Sequence, residues 1–190
     1  MDALPRPVRR LALVADLLAR PVPAAVAADP LRPVLASLLA GRLLGEGVLD
    51  GTLGLAAEDW RALGDRHFPG PPLPLPGRLR EDIPEHDDLV ALLLAHRAGR
   101  SPAEAWLAVI VARACAGRDH LWQDLGLANR GELTVLMGEA FPGLAALNTG
   151  DMKWKKFIYR HYCARDGIYV CPAPSCGECA DYARCFAPEA

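Results

Sequence analysis

The sequence predicts an all-α protein, an irregular helical bundle that ends in a cysteine-rich metal-binding loop. Three observations carry this expectation. Apolar residues recur at three- and four-residue intervals in seven separate stretches. No stretch sustains the period-two alternation of a half-buried strand between hairpin turns. Five of the six cysteines fall in the last 28 residues, at 163, 171, 176, 179 and 185.

At 190 residues the chain suits one domain with a real core and is short for two. Its composition, 52 % hydrophobic against 23 % charged, is that of a packed chain rather than a disordered one. Val8 to Arg20 and Leu31 to Leu44 each carry apolar residues at helical spacing, and Pro21, Pro23 and Pro30 punctuate the gap between them. A third helix is expected over Ala57 to His67, stopped by Pro69. Five prolines between Pro69 and Gly77 predict an extended connector, because proline lacks a backbone donor and fixes φ.

Beyond the connector, Glu85 to Arg97 places Leu89, Leu92, Leu93 and His96 on one stripe behind the first-turn acids Asp87 and Asp88. Ser101-Pro102-Ala103-Glu104 supplies an N-cap, a proline at the first helical position and a reciprocal glutamate, predicting a buried helix to about Ala116. Asn129-Arg130-Gly131-Glu132 repeats that logic ahead of Leu133, Leu136, Met137 and Ala140, and Pro142 ends the helix. Met152 to Cys163 forms the last helix, with Trp154, Phe157, Ile158 and His161 or Tyr162 on the face expected to be buried. Lys153, Lys156 and Arg160 line up on another face as a cationic stripe, and Lys155 is expected to be exposed. The organisation is then one domain over 1–190, with N-terminal helices in 1–68, the connector in 69–84, central and basic helices in 85–165 and the cysteine loop in 166–190.

Lysine plus arginine number 21 and aspartate plus glutamate 23, so no global field favours nucleic acid or an anionic membrane, and a basic site must be local. The longest uncharged apolar runs, Leu89 to Ala95 and Ala105 to Ala112, fall short of the roughly 20 residues of a membrane span. Asp16 and Arg20 interrupt the N-terminal apolar run, which is too charged for a secretory signal. A cytoplasmic protein is expected. No glycine-rich phosphate loop, serine triad or paired catalytic carboxylates are visible.

In such a chain, crowded cysteines favour metal binding over disulfides. Cys171-x4-Cys176-x2-Cys179-x5-Cys185, with Pro172, Pro174 and Gly177 between, supplies the short turning segments that four thiolates need to surround one centre. By spacing alone, an iron-sulfur cluster, a four-cysteine structural zinc site and an unmetallated reduced set of thiols all remain open. Cys115 lies in an apolar helical pattern and Cys163 at a helix end, so both are read as packing residues. His120, His161, His96, His86 and His67 are read as satisfied polar residues before they are read as ligands, and Trp106, Trp122 and Trp154 as core anchors.

Met152-Lys153-Trp154-Lys155-Lys156-Phe157, then Tyr159-Arg160, then the complete cysteine run resembles the NifQ family of nitrogen-fixation proteins. His120-Leu121-Trp122-Gln123-Asp124-Leu125-Gly126-Leu127 resembles the same family, and the similarity carried by these motifs covers roughly residues 85 to 187. Ile158, His161 and Tyr162 depart from the commoner residues and leave the thiolate set complete. The resemblance implies a carrier, not a turnover enzyme. It would hold a molybdenum-iron-sulfur cluster on Cys171, Cys176, Cys179 and Cys185 and give molybdenum to the scaffold and reductase proteins that build the nitrogenase iron-molybdenum cofactor. Lys153, Lys156 and Arg160, just ahead of the cysteines, would attract molybdate or an acidic partner by simple charge. The competing reading is a helical interaction or regulatory module with a structural zinc site.

Overall fold

Proline placement sets the first elements. In the computed structural model, which describes residues 5–49, 51–71 and 83–165, α1 runs over Arg6–Ala19 with Pro5 as its N-cap residue and Pro7 in its first turn. Proline is tolerated there because those N–H groups have no partner within the helix. The gap read as simple punctuation contains one further helical turn, α2 at Ala24–Ala27. Asp29 ends that gap. Its carboxylate accepts the Leu31 N–H at 2.9 Å and the Ser101 hydroxyl at 2.6 Å, joining the start of the third helix to the start of the sixth.

The helix α3, Leu31–Leu43, is buried on every side from Val34 to Gly41, as expected of a central helix whose residues are apolar all round. α1 and α8 both pack against it. α4, Ala57–His67, is tied by the Trp106 indole N–H, which donates to Asp59 at 3.2 Å. α5, His86–Ala95, buries Leu89, Leu92 and Leu93 against α6, Ala103–Ala114, whose Leu107, Ile110 and Val111 are wholly inaccessible. Each such side chain contributes about 1.5–3 kcal/mol on burial. α4 also packs on α6, so the helices before and after the proline-rich stretch share one core.

The caps read from sequence form with one shift of partner. Glu104 reaches back to the N–H groups of Gly99, Arg100 and Ser101, while the Ser101 hydroxyl takes the Ala103 N–H at 3.2 Å. Asn129 accepts the Glu132 N–H at 3.1 Å and opens α8, Arg130–Ala140; Glu132 turns instead to Ala128 N–H and the Ser37 hydroxyl. Between these lies a single turn, α7 at Leu121–Asp124, and after α8 follow α9, Pro142–Leu147, and α10, Trp154–Arg165. All ten elements among the described residues are helices, as the sequence predicts. No helix among them is long and apolar enough to cross a membrane. Most of the connector and the whole of the cysteine loop, with Cys171, Cys176, Cys179 and Cys185, lie outside the described residues.

Two buried arginines lock the bundle. Arg10 donates to the Ser37 hydroxyl and carbonyl, to the Gly126 carbonyl at 2.7 Å and to Glu46. Arg32 donates to the carbonyls of Leu17, Leu18, Arg20 and His67, capping the end of α1 from α3. His67 departs from the reading as a satisfied polar residue, because it is wholly buried and neither ring nitrogen has a hydrogen-bond partner. Burial lowers its pKa to about 4. The ring is therefore neutral and packs edge-on to Trp106 with centroids 5.9 Å apart.

Cys115 follows α6 and is completely inaccessible, with burial pushing its thiol up to about 12. Because the thiolate is the reactive form, iodoacetamide at pH 8 is expected to leave Cys115 unmodified in the folded protein and to label it after denaturation. Peptide mass mapping checks this, and labelling in the fold would mean that the end of α6 opens.

Candidate functional site

The site is built on the two segments that carry the sequence motifs, 120–127 and 152–160. On α10 the buried stripe is Lys155, Ile158, Tyr159 and Cys163, with Phe157 beside it. This shifts the expected face by about one residue, and Trp154, His161 and Tyr162 are only half-buried. Lys155 corrects the sequence reading most sharply. Instead of being exposed it is 8 % accessible, its ammonium donating to the Gly117 carbonyl at 2.9 Å and to the Asp124 carboxylate. Asp124 is 1 % accessible and also accepts the Asp119 N–H at 3.2 Å. Burial pushes its carboxyl upward, and the Lys155 hydrogen bond and charge draw it back.

The surroundings of that pair have no spare space. A Cβ at Gly117 would sit 2.2 Å from the Asp124 carboxyl carbon, so residue 117 must lack a side chain for the carboxylate to fit. Gly126 closes α7 with φ +72°, the left-handed conformation that glycine adopts without strain. Its carbonyl takes Arg10, and the Asp124 carbonyl takes the Val48 N–H at 2.8 Å. The 120–127 segment is thus held from α1, from the loop after α3 and from α10.

This clamp sets the start of α10 beside α7 and α8, leaving a cavity of about 200 Å³ between them. Four fixed cations line it: Arg118, Arg130, Lys153 and Lys156, with His120 among them. Two carboxylates, Asp119 and Asp151, stand against these four. Leu121, Trp122, Leu133 and Trp154 supply apolar wall.

The stripe read from sequence therefore divides. Lys153 and Lys156 belong to the cavity, whereas Arg160 is exposed one turn further along α10 and does not line it. Arg118, His120 and Arg130 were missed as members of a cationic site. No spacing rule could join them to Lys153 and Lys156, since they come from a loop, a helix cap and a different helix.

Other expected positions are placed as follows. Cys163 is 3 % accessible within the α10 stripe, as a packing residue should be. His161 stacks on Phe157 and meets His96 edge-on with centroids 5.6 Å apart. The first-turn acids also bind side chains, Asp87 to His86 at 3.0 Å and Asp88 to the Tyr162 hydroxyl at 3.0 Å. Among the described residues no group of three or more histidine, cysteine, aspartate or glutamate side chains is arranged to hold a metal ion.

Among the described residues, fold and site define an all-α body with a cationic cavity at the root of α10, which is followed in sequence by a four-cysteine run. The family model described as NifQ matches residues 34–187, which takes in both motifs and all four cysteines of the run. Protein NifQ of Azotobacter vinelandii is 49 % identical over 116 residues, covering 58 % of this chain and 60 % of that protein. Protein NifQ of Rhodobacter capsulatus is 40 % identical over 165 residues, covering 86 % and 92 %, and that of Klebsiella pneumoniae 36 % over 154 residues, covering 75 % and 90 %. No solved structure matches. The chain belongs to the NifQ family, and its role is in nitrogen fixation. The match begins at residue 34, within α3 and well ahead of the motifs.

Proposed function

We propose that the protein is a molybdenum carrier that holds an iron-sulfur cluster on Cys171, Cys176, Cys179 and Cys185 and delivers molybdenum for the nitrogenase iron-molybdenum cofactor. The observation that carries this reading is the complete cysteine run inside the matched family region. The donor set fits the group, because four soft thiolates at short, proline- and glycine-containing intervals suit iron-sulfur ligation. Once bound, the cluster would supply sulfide and thiolate donors soft enough to retain molybdenum.

The chain's own residues then divide the work. The cationic cavity draws molybdate, the cargo, toward the basic end of α10. The helix advances about 1.5 Å per residue, and the six-residue span from Arg165 to Cys171 reaches at most about 20 Å, so cargo and thiolates belong to adjoining stretches of chain. The recipients are the nitrogenase cofactor scaffold and the nitrogenase reductase, in the cytoplasm, and the protein acts as a carrier rather than by turnover.

The test is metal and acid-labile sulfide analysis of protein purified without oxygen from molybdate-fed cells. A brown preparation with iron, sulfide and molybdenum is expected. A colourless one with a single zinc per chain would replace this reading with that of a helical interaction module built on a structural zinc site.

A further inference from the structure

We infer that α1 carries a self-association face, on which α1 of a second copy of this chain packs antiparallel. The inference does not rest on the carrier reading, because α1 lies ahead of the matched residues 34–187 and its chemistry involves no metal.

The face is apolar and open. Among the described residues four large apolar side chains are exposed, and two of them, Val8 and Leu11, stand one turn apart on α1, Leu11 at 69 %. Ala12, Ala15 and Ala19, all exposed, continue the row along the helix, with half-buried Leu18 at its margin. A single exposed leucine is ordinary, whereas a row of apolar side chains on one helix face marks a contact surface. The alanines keep the row low, so a second helix can approach closely while Val8 and Leu11 fill the space between.

The helix beneath is held firmly. Arg10, on its far side, donates to Ser37, Gly126 and Glu46, and Arg32 donates to the carbonyls of Leu17 and Leu18. The face is therefore presented with little ordering cost on association.

Charge selects the occupant. Arg9 and Asp16 flank one edge of the row two turns apart, about 10.5 Å along the axis, which is too far for them to pair with each other. The cation placed to pair with Asp16 within the helix is Arg20, four residues on, and it is turned to the carbonyls of Phe68 and Pro71. A two-fold axis perpendicular to α1, midway between residues 9 and 16, brings like edges together. Arg9 of each copy then faces Asp16 of the other, and Leu11 of each lies near Ala15 of the other. A parallel pair would set opposite edges together and leave both charges without this partner.

One helix pair about 21 Å long and about 10 Å across buries less than the roughly 1,200 Å² at which stable interfaces begin. The dimer is accordingly weak and concentration-dependent.

The test is sedimentation velocity on the full chain, purified without oxygen and kept under thiol reductant so that no intermolecular disulfide contributes, from about 5 to about 500 μM. A reversible shift from monomer to dimer across that range is expected. L11E should weaken association at least about 100-fold, because a leucine leaves the interface from each copy, while its helical melt stays unchanged. R9E and D16R each set like charges face to face and should each weaken it about tenfold. The exchange R9E/D16R should return to within about threefold of wild type, and added salt should weaken both. Iron content should be the same in all these variants, so failure of the dimer leaves the carrier reading untouched, and a zinc protein that dimerises through Leu11 leaves the dimer standing.

A monomer throughout the concentration range would overturn the inference, whether another part of the chain or a different protein covers Leu11. A dimer that survives L11E would overturn it by placing the interface elsewhere. So would a charge exchange that fails to recover what its single changes lose, since the antiparallel pairing requires that recovery.

Discussion

Serine in place of Cys176 or Cys179 is expected to remove the brown chromophore and nearly all of the bound iron, while the helical circular dichroism stays near that of the parent. The first half follows from ligand chemistry, because a serine hydroxyl is a hard, weakly acidic donor where a soft thiolate is required. The second follows from the core. The apolar faces of α3, α5, α6, α8 and α10 are buried against one another, so the described body does not depend on metal for its packing. C163A and C115S serve as contrasts. Both side chains are buried among helices, at 3 % and 0 % accessibility, and both variants should keep iron and sulfide at some cost in stability. Full iron retention in both serine variants would remove the ligand assignment, and loss of iron from C163A with retention in C171A would move it onto α10.

Replacing Lys155 by methionine is expected to destabilise the fold by about 3–5 kcal/mol at neutral pH, because it leaves the Asp124 carboxylate buried without its counter-charge. The pH dependence has a definite sign. With the lysine gone, burial is opposed only by the Asp119 N–H hydrogen bond and raises the Asp124 pKa in the folded state further above the value in the unfolded chain. The folded variant then binds more protons than the unfolded one, so its stability falls as pH rises. The deficit relative to the parent protein should therefore narrow as the pH is lowered from 7 toward 5. A second change, D124N, should recover part of the loss, since a neutral amide no longer leaves a charge stranded, and the double-mutant cycle should give a coupling well above about 0.5 kcal/mol. Urea unfolding of the four proteins at two pH values decides the matter. A K155M variant as stable as the parent at pH 7 would mean that Lys155 is the exposed residue its local pattern suggests.

The same pair marks where local pattern stops being informative. Ile158, Tyr159 and Cys163 could be placed on a helix by spacing, but a lysine flanked by Trp154 and Lys156 gives no sign that it will occupy the buried stripe. Its partner is 31 residues away, on a single-turn helix whose apolar spacing is too short to register. α2 and α9 went unread for the same reason, each being only one or two turns long. Arg10 and Arg32 are buried because carbonyls from distant elements converge on them, and their immediate neighbours in sequence carry no trace of that convergence.

What the sequence determined by itself is the all-helical body, its principal caps and the cysteine run. Helical periodicity, the caps at Ser101 and Asn129 and the spacing of Cys171, Cys176, Cys179 and Cys185 are local properties, expressed within a turn or two of chain. What only the tertiary structure decided is which cations work together. Lys153 and Lys156 join Arg118, His120 and Arg130 around one cavity, Arg160 stays outside it, and Lys155 is withdrawn to Asp124. The reason is physical. A helix fixes which residues share a face, but whether a charge on that face meets water, an anion or a buried carboxylate depends on what is packed opposite it.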